Sequence, residues 1–259
     1  MRTSKTLARL RAQEPVRMCA LGHFIPAYIH HAAHFGFDCI WLDLEHRAMT
    51  DREVQALLTH FHLADIDCML RPATLEKTRL YRYLEDGATG LMIPHVSTPE
   101  KAQQLVNAVK FPPVGDRGLD AAGLDSDFLL SDVTAHVDHT LQESFLVVQI
   151  ETPEAVENVE QIAAIDGIDG LFVGPGDLGL RINRGDVDYT LEEAIDRVAQ
   201  VAASAGKAWG LPAGSVEQIK ARRQQGAQLL PYGGDFGACM QMLKEHGEQL
   251  TTTYGEEND

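Results

Sequence analysis

The sequence predicts an α/β protein, a (β/α)8 TIM barrel in a single domain with an inserted segment after the fourth strand. Three observations predict it. Apolar runs alternate with helical stretches eight times along 259 residues, the length such a barrel needs. The runs are apolar almost throughout, as parallel strands covered on both faces are. Gly and Pro mark the joints, at Gly36, Pro72, Gly87, Pro153, Gly206 and Gly226. A doubly wound open sheet is the alternative, but no GxGxxG follows the first apolar run.

The elements follow in order. Val16–Gly22 reads as a strand and Pro26–Phe35 as its helix. The next pairs are Asp38–Leu44 with Asp51–Ala64, Cys68–Arg71 with Leu75–Asp86, and Gly90–Val96 with Thr98–Lys110. Phe145–Glu151 leads into Pro153–Ala164, and Gly170–Gly174 leads through a Gly-rich loop to Leu191–Ala205. Lys207–Leu211 with Ser215–Gln225 and Gln228–Tyr232 with Phe236–His246 complete the set. Thr98-Pro99-Glu100 and Thr152-Pro153-Glu154 are helix starts, a cap residue followed by Pro at the first helical position. Gly115–Glu143 breaks the rhythm and is too long for an ordinary connection. It reads as an insertion with a helical piece near Ser131–Thr140. The domain spans 1–259, with 1–15 as an N-terminal arm and 236–259 as a C-terminal helix and tail.

Composition narrows the function. Hydrophobic residues make up 44% of the chain and no repetitive tract interrupts it, so it folds around a sizeable core. A formal net charge of −16 disfavours nucleic acid and anionic membrane surfaces as partners. No apolar run approaches the ~18 residues of a membrane span. Met1–Gln13 lacks the apolar stretch of a secretory signal. The four cysteines, Cys19, Cys39, Cys68 and Cys239, show no CxxC spacing. A cytoplasmic protein without a disulfide framework is expected.

In a barrel the chemistry sits at the C-terminal ends of the strands. The stretch WLDLEH (Trp41–His46) ends an apolar run in Asp43, Glu45 and His46. Arg71 ends the third strand, His95 the fourth, and Gln149 and Glu151 the fifth; Asp177 follows the sixth. All are expected on one rim. Glu151 and Asp177 point to a hard divalent cation, because Mg²⁺ typically takes one or two protein carboxylates and completes its shell with substrate and water. The loop Gly174-Pro175-Gly176-Asp177 lets a substrate approach the backbone. No lysine falls at a strand top in this reading, and Lys207 starts the seventh strand at the wrong end. An imine mechanism is therefore disfavoured. His23, His30, His31, His34, His60 and His62 read as ordinary helical or loop residues.

Five motifs carry a resemblance: GFDCIWLDLEH (Gly36–His46), LRP (Leu70–Pro72), EDGATGLMIPHVSTPEKAQQLVNAVKFPPVGDRG (Glu85–Gly118), VQIETPEAVENVEQI (Val148–Ile162) and DGLFVGPGDLG (Asp169–Gly179). In this order and with these gaps the chain resembles the HpcH/HpaI aldolases, metal-dependent (class II) pyruvate aldolases, over roughly Val16 to Asp235. The resemblance implies a carbon–carbon lyase that reversibly cleaves a 4-hydroxy-2-oxo acid into pyruvate and an aldehyde through a metal-stabilised enolate. It implies His46 as catalytic base with Asp43 as orienting partner, and Arg71 as the arginine that stabilises the enolate. Glu85 falls where the family keeps an acid that raises the histidine's basicity. Gln149, Gly176, Asp177 and Arg71 match substrate contacts, and Glu151 and Asp177 the metal ligands. The metal is Mg²⁺ by expectation, with Mn²⁺ or Co²⁺ as alternatives, and the assembly a homo-oligomer, commonly a hexamer, whose C-terminal helix packs on a neighbour. A citrate-lyase-type acyl-CoA lyase and a non-catalytic barrel are the competing readings. The first should show basic residues for a nucleotide; the second should lack a ligand or the base.

The chain departs from the family at Arg47, Asp120 and Gly179 and matches poorly over Asp120–Glu143. Arg47 follows the histidine where the family usually has Gly or Ala. It reads either as a surface residue bonded to Asp51 or Glu53, or as a cation that meets the distal end of a substrate.

Overall fold

The computed structural model describes residues 2–255. Met1 and residues 256–259 of the expected tail lie outside the described residues. The chain opens with α1 (Lys5–Arg11), capped by the Ser4 hydroxyl. Then come β1 (Met18–Leu21), α2 (Pro26–His34), β2 (Cys39–Asp43), α3 (Asp51–Leu63), β3 (Asp67–Arg71), α4 (Lys77–Glu85), β4 (Gly90–Ile93) and α5 (Pro99–Val109). The inserted stretch carries a short 3-10 turn and α6 (Val133–Glu143). β5 (Phe145–Ile150) follows, then α7 (Pro153–Glu157), α8 (Val159–Ala163), β6 (Gly170–Val173), α9 (Pro175–Arg184), α10 (Leu191–Ala205), β7 (Ala208–Gly210), α11 (Val216–Gln224) and α12 (Asp235–Tyr254).

All seven strands form one parallel sheet in the order β1-β2-β3-β4-β5-β6-β7. The expected closed eight-stranded barrel is therefore corrected to a seven-stranded parallel half-barrel. The sequential order also excludes a doubly wound sheet, whose order reverses at a switch point. The expected eighth strand, Gln228–Tyr232, forms no ladder. It makes only isolated parallel bridges, Val16↔Leu229, Gly210↔Leu229 and Ala213↔Tyr232, and a fourth, Ala20↔Gly234, follows just beyond it. The local chemistry explains this. Pro231 has no N–H to give a ladder, and Gly233 turns the chain at φ +75°. Gly210 permits the one close approach there, since a Cβ would stand 1.7 Å from the Leu229 carbonyl oxygen.

Two apolar layers hold the sheet. The larger lies between strands and helices, where Ile40, Leu42, Leu70, Leu91, Val148 and Leu171 meet Leu57, Phe61, Val106, Ile162 and Val198. The smaller lines the inner face with Met69, Met92, Phe145, Val147 and Phe172. Leu7 and Leu10 join it, so the expected N-terminal arm is a helix that closes the inner layer at the strands' N-terminal end. Asp67, fully buried at that end, accepts from the Ser4 hydroxyl and the Thr6 amide, both at 2.8 Å.

Helix starts follow local chemistry. Thr50 with Glu53 and Thr190 with Glu193 form capping boxes. Thr98-Pro99 and Thr152-Pro153 cap as their sequence predicts. The helix expected over Pro153–Ala164 divides at Asn158. The helix expected over Phe236–His246 runs eight residues further, to Tyr254. The stretch after β6, expected as a loop, is the ten-residue helix α9, with Pro175 in its first turn.

Candidate active site

The residues at the C-terminal ends of β2 to β6 build one site. β2 and β3 are in register with Asp43 opposite Arg71, and this pairing fixes the first contact. Arg71 donates from Nε to Asp43 Oδ1 at 2.9 Å, and its Nη1 lies 2.9 Å from Glu45 Oε2. Its guanidinium stacks on the Trp41 ring, 4.7 Å from the centroid. Two acids and a ring thus hold Arg71, which is only 6% exposed, in one orientation.

Glu45 is the hub on this side. Besides Arg71 it faces both histidines, with Oε1 3.2 Å from His95 Nε2 and Oε2 3.6 Å from His46 Nε2. Asp43 instead accepts from Arg71 and from the Glu45 amide, at 3.1 Å. The acid next to His46 is therefore Glu45. The His46 ring is more than half exposed, in the bend that follows β2.

β5 supplies Gln149 and Glu151, two residues apart and so on one face. Glu151 is 2% exposed. Its Oε1 accepts from the His95 amide at 2.6 Å and lies 2.9 Å from His95 Nδ1. Its Oε2 accepts from Gln149 Nε2 at 2.5 Å. Burial raises the Glu151 pKa, the neighbouring charges of Glu45 and Asp177 add to the rise, and the His95 amide and ring oppose it. The Gln149 Oε1 is buried with no hydrogen-bond partner.

His95 takes φ +55°, a left-handed conformation unusual for a residue with a side chain. That turn presents both its amide and its ring to Glu151. Sequence reasoning placed His95 on the rim without a role; the structure puts it at the centre, between Glu45 and Glu151. The Pro94 before it, which ends β4, was the available signal.

The β6 end supplies Gly174, Gly176 and Asp177. Gly174, read from the sequence as part of a loop open to substrate, has a tighter constraint: a Cβ there would stand 2.6 Å from both Gln149 Nε2 and Glu151 Oε2. At Gly176 a Cβ would meet nothing within 4 Å, so this turn is open to a ligand. Gly174 to Asp177 begin α9, where the first amides have no intrahelical acceptor and favour an anion. Asp177 pairs with Arg181 one helical turn later.

Two expectations fare differently. Glu85 ends α4, which runs back against the strands, so it lies at the opposite end of the sheet from His46. Its carboxyl is pushed up to about 7 by burial, with Asp125, Asp120 and Asp86 adding and Arg117 opposing. A lysine does reach the rim: Lys101, in the first turn of α5, donates from Nζ to the His95 carbonyl, and burial lowers its pKa. Absence of a nearby lysine therefore carries no weight against an imine.

The donor set itself tests a metal. Among the described residues no group of three His, Cys, Asp or Glu could hold one, which argues against a closed structural site. A nearly inaccessible carboxylate with two further acids bearing on it, beside an unpartnered amide oxygen, is what one hard cation with substrate or water ligands would relieve. Glu151 and Asp177 fit that group.

Buried carboxylates, an acid-clamped arginine and a histidine at the strand ends of a parallel sheet define a class: an enzyme acting on a small oxygen-rich substrate. The family profile described as HpcH/HpaI aldolase/citrate lyase matches residues 18–241, and the chain belongs to that family. It is a carbon–carbon lyase. It is 33% identical to a hydroxypyruvate/pyruvate aldolase of Pseudomonas aeruginosa over 245 residues, covering 92% of this chain and 89% of that one. It is 31% identical to a 4-hydroxy-2-oxo-heptane-1,7-dioate aldolase of Klebsiella pneumoniae over 206 residues, 77% of this chain and 76% of that one. The crystal structure of an HpcH/HpaI aldolase from Desulfitobacterium hafniense superposes with a TM-score of 0.87 at 27% identity, covering 94% of this chain and 95% of that one.

Proposed function

We propose that the chain reversibly cleaves 4-hydroxy-2-oxo acids into pyruvate and an aldehyde, with a divalent cation, Mg²⁺ by preference, held by Glu151 and Asp177. The observation that carries this reading is the Glu151 carboxylate, buried at the strand ends with Glu45 and Asp177 bearing on it and the unpartnered Gln149 oxygen beside it. When bound, the cation supplies Lewis-acid polarisation of the oxo acid's oxygens.

The chain's own residues supply the rest. Arg71, held by Asp43 and Glu45, points its planar fork at the charge that develops on the 2-oxo oxygen and needs no reorganisation to do so. The first amides of α9, at Gly176 and Asp177, receive the carboxylate of the oxo acid. Gln149, with its unpartnered oxygen, takes a substrate hydroxyl or a water. His46, exposed and next to Glu45, accepts the proton of the 4-hydroxyl in cleavage and returns it in addition, directly or through one water.

The family resemblance also gives the base a supporting acid at Glu85. Within one chain Glu85 is remote from His46, so in this reading that role requires a second copy of the chain. α12 supports self-association: Met240, Leu243, Leu250 and Tyr254 are 70%, 64%, 51% and 81% exposed along it, an apolar display that a soluble monomer rarely leaves open. A hexamer in the cytoplasm is the corresponding proposal. No helix among the described residues is long and apolar enough to cross a membrane.

The test is pyruvate release from a panel of 4-hydroxy-2-oxo acids, with and without EDTA. Activity abolished by EDTA and restored by Mg²⁺, Mn²⁺ or Co²⁺ is expected. Full activity in EDTA, with pyruvate trapped on Lys101 by borohydride, would overturn the metal reading in favour of an imine.

A further inference from the structure

Among the described residues, Arg47 in the bend after β2 carries a charge that no carboxylate answers. Arg71 is held by Asp43 and Glu45, and Arg181 by Asp177. Among the described residues Arg47 pairs with no acid. The acids nearest in sequence are already engaged: Asp51 with Arg79 at 2.8 Å, and Glu53 in the Thr50 capping box. The reading of Arg47 as a surface residue bonded to Asp51 or Glu53 is thereby excluded.

The guanidinium is nevertheless held in place. Its Nη1 donates to the His46 carbonyl at 2.7 Å. Its plane lies over the Phe236 ring, 4.4 Å from the centroid. Its Nε is buried and has no hydrogen-bond partner. Gly22 makes room for this seat, because a Cβ there would stand 2.7 Å from Arg47 Nε and 2.9 Å from Phe236. The Phe236 ring is positioned in turn by Asp235, which accepts from the Gly22 amide at 3.0 Å and lies 2.6 Å from His23 Nδ1. An arginine that merely solubilised the surface would need none of this.

Its direction matters as much. The side chain starts after β2 and leans across the end of β1 toward α12. Glu151 and Asp177 follow β5 and β6, on the far side of the sheet order. His46 directly precedes Arg47 in the bend after β2, beside Glu45, which also faces His95 and so borders the Glu151 side. A substrate anchored by its oxo-acid end at β5 and β6, with its reacting hydroxyl at His46, extends its remaining carbons toward Arg47.

We propose that Arg47 is a specificity-determining residue that binds a terminal carboxylate on the aldehyde half of the substrate. The preferred aldehydes are then short semialdehydes that carry an acid at the far end. This rests on the aldolase reading above. A charge-assisted hydrogen bond to a fixed guanidinium is worth about 10–100-fold in discrimination against a partner that lacks the anion.

The test is aldol addition of pyruvate to succinic semialdehyde and to butanal by the metal-loaded enzyme. The readout is the ratio of the two kcat/KM values. Arg47→Ala should lower the ratio about 10–100-fold, mainly through KM for the semialdehyde, and Arg47→Lys should recover part of it. Phe236→Leu removes the ring beneath the guanidinium and should lower the ratio severalfold; it serves where Arg47→Ala melts early. An unchanged ratio in a folded Arg47→Ala or Phe236→Leu enzyme that still makes aldol product overturns the assignment of Arg47 alone. No aldol product from either aldehyde with the wild-type enzyme overturns the aldolase reading and this proposal with it.

Discussion

Arg71 Nε and Asp43 Oδ1 lie 2.9 Å apart, on side chains that are 8% and 10% exposed. The contact follows from the β2–β3 register and presents the guanidinium to the site as a fixed plane. Arg71→Lys should keep the fold but lose most of kcat, about 10²–10³-fold. An ammonium cannot serve Asp43, Glu45 and a substrate oxygen with one planar fork. Steady-state kinetics beside a thermal melt checks this; early melting with near-normal kcat would make the pair structural.

The two rim histidines should separate by readout. His46→Ala should lower kcat by about 10²–10⁴, the usual cost of a lost base, with little change in metal affinity. His95→Ala removes the ring beside Glu151, and should weaken metal binding about 10–100-fold as lost supporting partners do. Titration calorimetry with Mn²⁺ on both variants distinguishes them. Equal metal affinities in the two would remove His95 from the metal's support.

Gly174→Ala is the sharpest test of the β6 end. The new methyl would meet Gln149 Nε2 and Glu151 Oε2 at 2.6 Å and Glu151 Cβ at 2.8 Å, so the carboxylate must move. Metal affinity should fall at least tenfold while the far-ultraviolet spectrum stays unchanged. Wild-type affinity would mean that Glu151 is not a ligand.

Glu85 predicts a pH dependence of stability. Its pKa in the folded chain is about 7, above the ordinary 4.5, with burial the main cause. A raised acid is most compatible with folding below its unfolded pKa, and that stability is lost as pH rises through about 7. Glu85→Gln cannot ionise, so it should gain on the wild type between pH 5 and 8. The gain is about 1–2 kcal/mol, since the group is only half-buried. Parallel denaturant titrations at both pH values measure it, and a gain of zero would mean that an oligomeric neighbour or a rearranged loop resolvates the carboxyl.

Much of the site was legible because strand ends are legible. Asp43, Arg71, Gln149 and Glu151 each close an apolar run, and a parallel sheet brings all such ends to one edge. Glu85 shows what a sequence motif leaves open: a helix running back along a strand carries it to the opposite edge of its own sheet, so the role the resemblance implies depends on a second copy of the chain, which no pattern within one chain displays. Lys101 shows a different limit. Its backbone belongs to α5, and only the reach of its four-carbon side chain brings Nζ to the His95 carbonyl. The closed barrel was the wrong extrapolation of a correct rhythm, because Gln228–Tyr232 has the apolar pattern of a strand but is broken by Pro231. α9 was mistaken for a loop on its glycines, although Pro175 at the first helical position and Asp177 in the first turn announce a helix.

The seating of α1 beneath the sheet gives the molecule two unlike poles. Leu7 and Leu10 cork one of them, and the mouth with Glu151 and Arg47 opens at the other. A label, fusion partner or solid support joined ahead of Arg2 is therefore carried at the corked pole. Immobilised in that way, the protein would present its mouth outward to the passing solution.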